Sequence, residues 1–467
     1  MSSLSCKNLS LSHSTLSFRV WISPPRATIN TMRKKITLTA EQQAVFNRIE
    51  TTREHLFITG RAGTGKSTLL NHLAQNSSKT LAICAPTGVA ALNVGGQTIH
   101  SLLKLPTGVI ADHELTQTRE LKKLLQALTT LVIDEISMVS ADLMDGIDRA
   151  LRQARKKPFD PFGGVQIVMF GDPYQLPPVQ PRDPHEIAYY KDTYPSLWFF
   201  DAKVWHDAPV SVVELTEILR QRDDRFKEIL NAVRIGQVDS AMAAELNAAG
   251  ARPAPVEGTI TLATTNRAVK EINERELAKL PGKELKAQAE VTGSFSENSY
   301  PADETLRLKV GAQVMFLRND PEGRWVNGTL GVVSRINKNV WVEVDGDIHE
   351  VEPTSWERNQ YHYDAETKKL EKEVVAEFEQ FPLRLAWAVT IHKSQGHTYD
   401  RAIIDLGTRV FSAGQTYVAL SRVRSLEGIY LTRPLAPRDI IIDTSVQRFI
   451  RENLTRLEGE IPQRSLS

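Results

Sequence analysis

The chain has 467 residues, enough for roughly two to four domains of ordinary size. Its 57 lysines and arginines balance 56 aspartates and glutamates, so the net charge of +1 excludes a general electrostatic attraction to nucleic acid, and any such binding must come from local sites. Two distant cysteines, Cys6 and Cys84, exclude a disulfide framework and a cysteine-rich zinc site and favour a reducing compartment.

The first 35 residues differ in composition from the rest of the chain. They are rich in serine, contain three arginines and have no acidic residue. This composition is typical of an organelle transit peptide, but a disordered tail or a translation start at Met32 explains it as well and is the favoured interpretation. We therefore expect a bacterial-type cytoplasmic location, with organelle targeting by residues 1–31 as the alternative. No apolar run is long enough to predict a membrane-spanning helix.

A first α/β unit is predicted over residues 36–207, where short apolar runs alternate with helical segments. Such alternation predicts a parallel sheet covered by helices on both faces. Functional residues of such sheets gather at the carboxyl ends of the strands. The predicted strands are His55–Ile58, Leu81–Cys84, Leu128–Ile133 and Val165–Phe170.

A second α/β unit is predicted in two parts, over residues 208–307 and 381–467, with its first strand at Ser211–Leu215. Between them, residues 308–380 show alternating short strands separated by turn signals, which predicts a small β-barrel inserted into the second unit. The predicted fold class is therefore α/β, with two parallel-sheet units and a β-barrel insert. Among the aromatic residues of the insert, Trp341 is predicted to be core. Trp356, Tyr361 and Tyr363 are predicted to be surface or strand-separating residues because their surroundings are polar.

A phosphate-binding loop is predicted at Gly60–Ser67, which matches the pattern G-x-x-x-x-G-K-[ST] between a predicted strand and a predicted helix. In this pattern backbone N–H groups surround the phosphates, Lys66 reaches the β- and γ-phosphates, and the hydroxyl of Ser67 binds Mg²⁺. A chance glycine-rich turn is the alternative. The candidate nucleotide-binding residues are Gly60, Ala62, Gly63, Thr64, Gly65, Lys66 and Ser67.

Two adjacent carboxylates, Asp134 and Glu135, follow the predicted strand that ends at Ile133. Asp134 is a candidate Mg²⁺ ligand, and Glu135 is a candidate for orienting and deprotonating an attacking water. A solvated turn would explain this pair on its own. Together with the phosphate-binding loop, it predicts a nucleoside triphosphatase with Mg²⁺ as cofactor.

From Leu38 to Arg424 the chain resembles superfamily 1 helicases and, within these, the Pif family of superfamily 1B. A further segment, Lys157–Gly164, is similar to the end of the signature particular to that family. The ordered segments that carry the resemblance are Leu38–Gln42 (Q motif), Ala85–Gly88 and Gly95–Ser101 (DNA-backbone motifs), Gly171–Pro178 (motif III), Leu215–Gln221 (motif IV), Thr390–Thr398 (motif V) and Tyr417–Arg422 (motif VI).

The resemblance implies an ATP-dependent 5′→3′ DNA helicase with two RecA-like units and a 2B-type insert. It implies that Gln42 reads the adenine, that Gln175 senses the γ-phosphate, and that Arg220 and Arg422 act as arginine fingers across the cleft between the units. Taken singly, such arginines are more often surface residues, and buried histidines are often core residues. The implied DNA contacts are Thr87, His100, Thr390, His392, Lys393 and Ser394.

The expected partners are single-stranded DNA and DNA junctions, in repair, recombination or replication, with no membrane. A single-strand-binding or replication and repair protein is a further expected partner, and a monomeric motor is favoured. Three alternatives stay open: a RecD-like or relaxase-associated motor subunit, an RNA helicase, and a P-loop switch without motor activity. The RNA alternative stays open because the expected contacts are to the backbone, and only a contact to the 2′-hydroxyl distinguishes RNA from DNA.

Overall fold

The computed structural model describes residues 37–455 apart from 107, 111–114, 219–222, 256–257, 294, 296, 298–299 and 365–368. The predicted N-terminal extension, residues 1–35, therefore lies outside the described residues. The helices are α1 Ala40–Thr51, α2 Lys66–Asn76, α3 Gly88–Asn93, α4 Ile99–Leu103, α5 Arg119–Ala127, α6 Ala141–Arg155, α7 Pro184–Thr193, α8 Lys203–Asp207, α9 Asp224–Ile235, α10 Ser240–Gly250, α11 Asn266–Lys279, α12 Gln415–Leu420 and α13 Thr444–Asn453.

The strands belong to five sheets. Several strands of the parallel sheets are buried throughout, such as β4. The strands are β1 His55–Gly60, β2 Leu81–Ala85, β3 Gln97–Thr98, β4 Thr130–Ile133, β5 Gln166–Phe170, β6 Val210–Leu215, β7 Ile260–Ala263, β8 Leu285–Gln288, β9 Glu290–Gly293, β10 Thr305–Leu308, β11 Gln313–Phe316, β12 Leu330–Ile336, β13 Val340–Val344, β14 Asp347–Val351, β15 Thr354–Asp364, β16 Lys369–Gln380, β17 Leu383–Leu385, β18 Ala388–Thr390, β19 Ala402–Asp405, β20 Ile429–Leu431 and β21 Leu454–Thr455.

The first sheet is parallel and has the order β21-β6-β1-β5-β4-β2-β3. Successive residues of β1 point to opposite faces, so Leu56 and Ile58 pack in one core with α1 and α2, whereas Phe57 packs in the other with α5 and α6. This confirms the predicted parallel sheet with helices on both faces.

Strand β6 corrects the predicted start of the second unit. We expected Ser211–Leu215 to open that unit, but β6 pairs with β1 along its whole length, from His55 opposite Val210 to Gly60 opposite Leu215. At the far end of the described chain, β21 adds to the same sheet beside β6. A short apolar run predicts a strand but carries no information about its partner strand.

The second parallel sheet has the order β18-β7-β19-β20. Helix α11 is fixed to its edge by Asn273, whose side-chain amide donates to the Ala388 carbonyl at 3.0 Å and whose oxygen accepts from the Ala388 N–H at 2.9 Å. A buried amide that pairs with the N–H and the carbonyl of one residue leaves neither group unsatisfied.

The insert is antiparallel, and its described strands form three sheets with the orders β14-β13-β12-β11-β17, β15-β16-β9 and β10-β8. The predicted strands of the insert are confirmed, but the predicted closed barrel is not, because β14 and β17 stand at opposite edges of the five-stranded sheet. The antiparallel strands also start at Leu285, before the predicted boundary at residue 308. Within the described residues, no helix is both long and apolar enough to cross a membrane.

Candidate active site

The predicted phosphate-binding loop has the expected local structure, since β1 ends at Gly60 and α2 begins at Lys66. A side chain at Gly60 would place its Cβ 2.6 Å from the Leu215 carbonyl oxygen, so only glycine fits between β1 and β6. Gly65 precedes α2 in the left-handed conformation, with φ 78° and ψ 24°. The loop therefore presents the N-terminus of α2, an arrangement that binds anions.

The Lys66 ammonium lies inside this loop. It donates to the Gly60 carbonyl at 2.6 Å and to the Arg61 carbonyl at 3.2 Å, and the Thr64 hydroxyl also donates to the Arg61 carbonyl at 3.0 Å. The positive charge is thus already at the concave side of the loop, where the sequence pattern predicts phosphates.

Gln42 is buried and hydrogen-bonded within the protein. Its oxygen accepts from the Thr39 N–H at 3.0 Å, which closes a capping box at the start of α1, and its amide nitrogen donates to the carbonyls of Thr64 and Gly65. Gln42 therefore fixes α1 to the phosphate-binding loop in this conformation. The predicted adenine contact requires that these bonds be exchanged, and it stays a prediction.

Asp134 and Glu135 follow β4, and both carboxyl groups lie near Lys66. Burial raises the pKa of Asp134 to about 7, an effect that the neighbouring Glu135 increases and Lys66 opposes. Burial also raises the pKa of Glu135, against the charges of Lys66 and Arg422. Glu135 has the left-handed conformation, with φ 49° and ψ 44°, a strained backbone for a residue other than glycine.

A metal ion in this cleft would depend on ligands from outside the protein. The described residues contain no group of three or more histidine, cysteine, aspartate or glutamate side chains that could hold one. Ser67 and Asp134 supply two oxygen ligands at most. This suits Mg²⁺, which commonly takes one or two protein ligands and completes its shell with phosphates and water.

Gln175 lies where the two parallel-sheet units meet. Its oxygen accepts a hydrogen bond from the Gln395 amide at 3.3 Å, and Gln395 belongs to the second unit. A side chain at Gly414 would place its Cβ 2.3 Å from the Gln175 carbonyl oxygen, so the backbones are in close contact here. Gln175, the predicted γ-phosphate sensor, thus contacts the second unit at two points.

Arg422 is fully buried in the second unit. Its guanidinium donates to the Val418 carbonyl at 3.0 Å, to the Ser421 hydroxyl at 2.9 Å and to the His397 carbonyl at 3.5 Å. Burial lowers its pKa, while nearby acidic groups including Glu135 raise it. Arg422 of the second unit is therefore close enough to Glu135 of the first unit for their charges to interact. Arg220 lies outside the described residues, and its role stays a prediction.

The predicted DNA-contact residues divide into buried and accessible groups. Thr390 and Ser394 are buried, and their hydroxyls hold the turn after β18, where Thr390 accepts from the Lys393 N–H and Ser394 donates to the Ile391 carbonyl. The structure therefore does not present these two hydroxyls to a ligand, which corrects that expectation.

Four other predicted contact residues keep accessible surface. Thr87 caps α3 through its hydroxyl and is partly accessible. His100 is half-buried, and burial lowers its pKa. His392 and Lys393 are exposed.

A cleft of about 430 Å³ runs between the first unit, the insert and the turn that carries Lys393. Two arginines of the insert region, Arg318 and Arg384, line it together with Lys393. Arg384 is close enough to Lys393 to lower the pKa of that lysine, and partial loss of water around the ammonium group adds to the effect. Like charges that converge on an open cleft favour an anionic ligand. Sequence reasoning missed both arginines, because single arginines outside the recognised motifs give no signal.

The aromatic residues of the insert differ from prediction. Trp356 packs in a small core against Phe378, and the Tyr361 hydroxyl accepts from the Ile83 N–H at 3.5 Å, so both side chains are buried and the predicted surface placement is wrong. Trp341, predicted to be core, is only half-buried, with the Arg335 guanidinium 4.2 Å from its ring centroid. The side chain of Tyr363 lies outside the described part of the chain.

A phosphate-binding loop, two carboxylates at the next strand end and a buried arginine from a second parallel-sheet unit define a P-loop nucleotide-binding protein with its site between two units. The family model described as "PIF1-like helicase" matches residues 37–243, and "DNA helicase Pif1, 2B domain" matches residues 295–336. The chain belongs to the Pif1-like helicase family, as the resemblance implied.

Relatives and solved structures support this assignment. The chain is 37% identical to the human ATP-dependent DNA helicase PIF1 over 405 residues, which cover 84% of this chain and 60% of the relative. It is 34% identical to ATP-dependent DNA helicase Pif1 of Bdellovibrio bacteriovorus over 430 residues, which cover 90% of this chain and 92% of the relative. This chain thus spans less than two thirds of the human protein but nearly all of the bacterial one.

The fold is similar to solved Pif1 structures from Bacteroides. The complex with ADP-AlF4 has a TM-score of 0.83 and 38% identity, covering 91% of this chain and 98% of that chain. The structure bound to ssDNA has a TM-score of 0.65 and 39% identity, covering 89% and 97%. The arrangement described here is thus more similar to the ADP-AlF4 complex than to the ssDNA complex.

Proposed function

We propose that this protein is an ATP-dependent DNA helicase that translocates 5′→3′ on single-stranded DNA. The observation that carries the proposal is the cleft between the two units, where Glu135 of the first unit interacts electrostatically with Lys66 of the same unit and with Arg422 of the second. The names of the human and Bdellovibrio relatives support the same activity.

In the proposed hydrolysis, backbone N–H groups of the loop and the Lys66 ammonium bind the β- and γ-phosphates. The N–H of Ala62 is not among them, because it donates to the Tyr417 hydroxyl at 2.9 Å. Mg²⁺, held by Ser67 and Asp134, would neutralise charge on these phosphates. Glu135 orients the attacking water and accepts its proton. Arg422, with Arg220 as the second proposed arginine finger, stabilises the charge of the transition state, an effect worth about 10³–10⁵ in rate for such residues.

The contact between Gln175 and Gln395 supports a coupling of this chemistry to movement. Gln175 follows strand β5. Gln395 lies on the turn that also carries Lys393, which lines the cationic cleft, the cleft of about 430 Å³ with Arg318 and Arg384 in its wall. A change at the nucleotide therefore has a short physical path to the cleft that we propose for the DNA backbone. Closing and opening of the two units would then move two DNA contacts relative to each other.

The substrate and setting belong to the same proposal. Arginine and lysine side chains with no base-reading arrangement suit a phosphate backbone of any sequence. We extend the proposal to single-stranded DNA and DNA junctions as substrates, in repair or recombination. We propose a single-strand-binding or replication protein as partner. We also propose that the protein acts as a monomer and is located in a bacterial-type cytoplasm. The ssDNA complex of the Bacteroides relative supports the DNA part.

The test is the steady-state ATPase rate measured alone, with a single-stranded DNA oligonucleotide, and with RNA of the same sequence. We expect DNA to raise kcat by roughly tenfold or more and RNA to raise it less, because closure around DNA completes the site. Lys66→Ala is the control and should abolish hydrolysis. Hydrolysis indifferent to DNA would favour the P-loop switch without motor activity, and stronger stimulation by RNA would favour an RNA helicase.

A further inference from the structure

A buried polar cluster joins the two parallel-sheet units directly behind the phosphate-binding loop. The Ala62 N–H, inside that loop, donates to the Tyr417 hydroxyl at 2.9 Å. The same hydroxyl donates to a carboxylate oxygen of Asp172 at 3.3 Å. The other oxygen of Asp172 binds the Arg234 guanidinium at 3.2 Å. Ala62 and Asp172 belong to the first unit. Tyr417 lies on α12 and Arg234 on α9, on the opposite side of this contact.

Arg234 is held on several sides. Besides Asp172, it pairs with Glu214 of β6 at 3.2 Å, and its guanidinium lies 4.4 Å from the ring centroid of Tyr174. Only 5% of its side chain is exposed, and the Asp172 side chain is not exposed at all. A buried charge that loses its partner is strongly unfavourable. The pair of Arg234 and Asp172 therefore favours one fixed arrangement of the elements that carry them over a contact in which they slide past each other.

The Tyr417 phenol keeps its proton in this setting, because burial raises its pKa and the Asp172 carboxylate raises it further. The hydroxyl can therefore accept from Ala62 and donate to Asp172 at the same time. Tyr417 also stands five residues before Arg422 on one continuous segment. One hydroxyl thus connects the backbone of the phosphate-binding loop to the segment that carries the arginine.

We propose that Arg234, Asp172 and Tyr417 are positioning residues that hold the phosphate-binding loop in register with α12, so that Arg422 meets the transferred phosphoryl group. The inference rests on the proposed ATP hydrolysis and adds residues to it. Arg234 and Asp172 orient the Tyr417 hydroxyl, and that hydroxyl orients the loop. None of the three needs to touch the nucleotide for this role.

The test is Tyr417→Phe, which removes one oxygen and keeps the ring. We expect the DNA-stimulated kcat to fall about tenfold, because the substitution removes both hydrogen bonds of the hydroxyl, from Ala62 and to Asp172, that position the loop. The KM for ATP should stay within about twofold, because the contacts of the loop to the phosphates remain. Thermal unfolding should show a Tm only a few degrees lower.

Tyr190→Phe is the matched control. Tyr190 is a half-buried tyrosine of α7 whose hydroxyl donates to the Ser140 hydroxyl at 3.2 Å, and its described hydrogen bonds do not involve the cluster. It also loses a hydrogen-bonded tyrosine hydroxyl, but one outside the cluster, so its kcat should equal that of the wild type. A general effect of tyrosine truncation would lower kcat in both variants and would overturn the inference.

Arg234→Lys gives the second arm, since lysine keeps the charge but lacks the planar guanidinium that pairs with Asp172 and Glu214 and lies over the Tyr174 ring. If both residues act through Asp172, the double variant with Tyr417→Phe should be no slower than the slower single variant. The inference would be contradicted if the reductions in kcat of the two single variants multiply in the double variant. A kcat of Tyr417→Phe within twofold of the wild-type value would also contradict it. A wild-type enzyme that DNA does not stimulate would instead refute the proposed function itself.

Discussion

Glu135 illustrates how the site is built at the scale of single residues. The backbone at Glu135 is left-handed, which is costly for a side chain with a Cβ and is typical of functional positions. Here the turn brings two consecutive carboxyl groups to the same cleft as Lys66, although consecutive residues of a strand would point to opposite faces.

The first prediction is that Glu135→Gln lowers kcat by about 10²–10⁴-fold, because the amide keeps the shape of the side chain but cannot accept a proton from water. Binding of ATP and of single-stranded DNA should persist. Single-turnover hydrolysis and a filter-binding assay for labelled ATP measure the two properties. A variant that still hydrolyses ATP at the wild-type rate would refute the assignment of Glu135 as base.

The second prediction concerns Asp134, whose pKa is raised to about 7 by burial and by Glu135. A carboxyl group with a raised pKa binds its proton more tightly in the folded state, so its contribution to stability is lost as pH rises from about 4 to about 7. Without nucleotide, Asp134→Asn should therefore increase the free energy of unfolding at pH 8, on the order of a few kcal/mol.

That gain should shrink as the pH falls towards 5, because the wild-type carboxyl group is then protonated. Urea unfolding of both proteins at pH 5 and pH 8 measures it. A difference between the two proteins that does not change with pH would contradict the raised pKa of Asp134.

The residues that sequence could predict are those whose neighbours in the site are also neighbours in the chain. Gly60–Ser67 form one loop, so a pattern of spacing was sufficient. Arg384 and Arg234 act through residues that are distant in sequence, and a single arginine in a strand or amphipathic helix has the same pattern whether it is solvated or buried. Thr390 and Ser394 show the opposite case. They were predicted as DNA contacts, because the motif does not reveal that their hydroxyls are hydrogen-bonded inside the turn.

At the scale of elements, the first sheet is completed by segments from distant parts of the chain. Helix α13 returns from the second unit and stacks Phe449 on Phe200, with ring centroids 4.2 Å apart and planes 5° apart. The Trp198 indole also donates to Asp443, just before α13, at 2.7 Å. The pattern of short strands and helices was predictable, but the return of the chain was not, because pairing between distant strands has no local signal.

The third prediction is that Phe449→Ala lowers the free energy of unfolding by about 3–5 kcal/mol, the range for a large aromatic side chain removed from a packed core. Phe449 is 6% exposed. Phe159→Ala is the control, because Phe159 is 91% exposed and should change stability by less than about 0.5 kcal/mol. Equal effects of the two substitutions on urea unfolding would show that α13 does not contribute to the core.

The insert shows a second limit at this scale. Its strands and turns were predicted, yet the polar segment with Trp356 and Tyr361 was expected to be surface. That segment is the long strand β15, paired with β16. Its Trp356 is covered by Phe378, and its Tyr361 lies against the first unit. Alternation along one strand does not indicate which other element covers its face.

At the scale of the whole molecule, the cationic cleft exists only because the first unit, the insert and the second unit meet. The fourth prediction is that Arg384→Ala weakens binding of single-stranded DNA at all sequences and reduces the slope of log K against log salt by about 0.7, the value for one phosphate contact on a single strand. Fluorescence anisotropy with a labelled oligonucleotide over a salt series measures both.

Arg267→Ala is the control for this prediction. Arg267 lies on α11, is 89% exposed and pairs only with Glu271 of the same helix among its described ion pairs. It carries the same charge but does not line the cleft, so its removal should leave the salt slope unchanged. An equal loss of affinity for both variants would mean that overall charge, and not the cleft, attracts DNA.

The central claim is that the two units and the cleft form a directional motor on DNA. The most direct measurement is unwinding of a duplex that carries a single-stranded tail at only its 5′ end or only its 3′ end, with ATP and with Lys66→Ala as the inactive control. We predict unwinding of the 5′-tailed duplex alone. Equal unwinding of both duplexes or unwinding of the 3′-tailed duplex alone would contradict the direction, and ATP hydrolysis without unwinding of either would contradict the claim of a helicase.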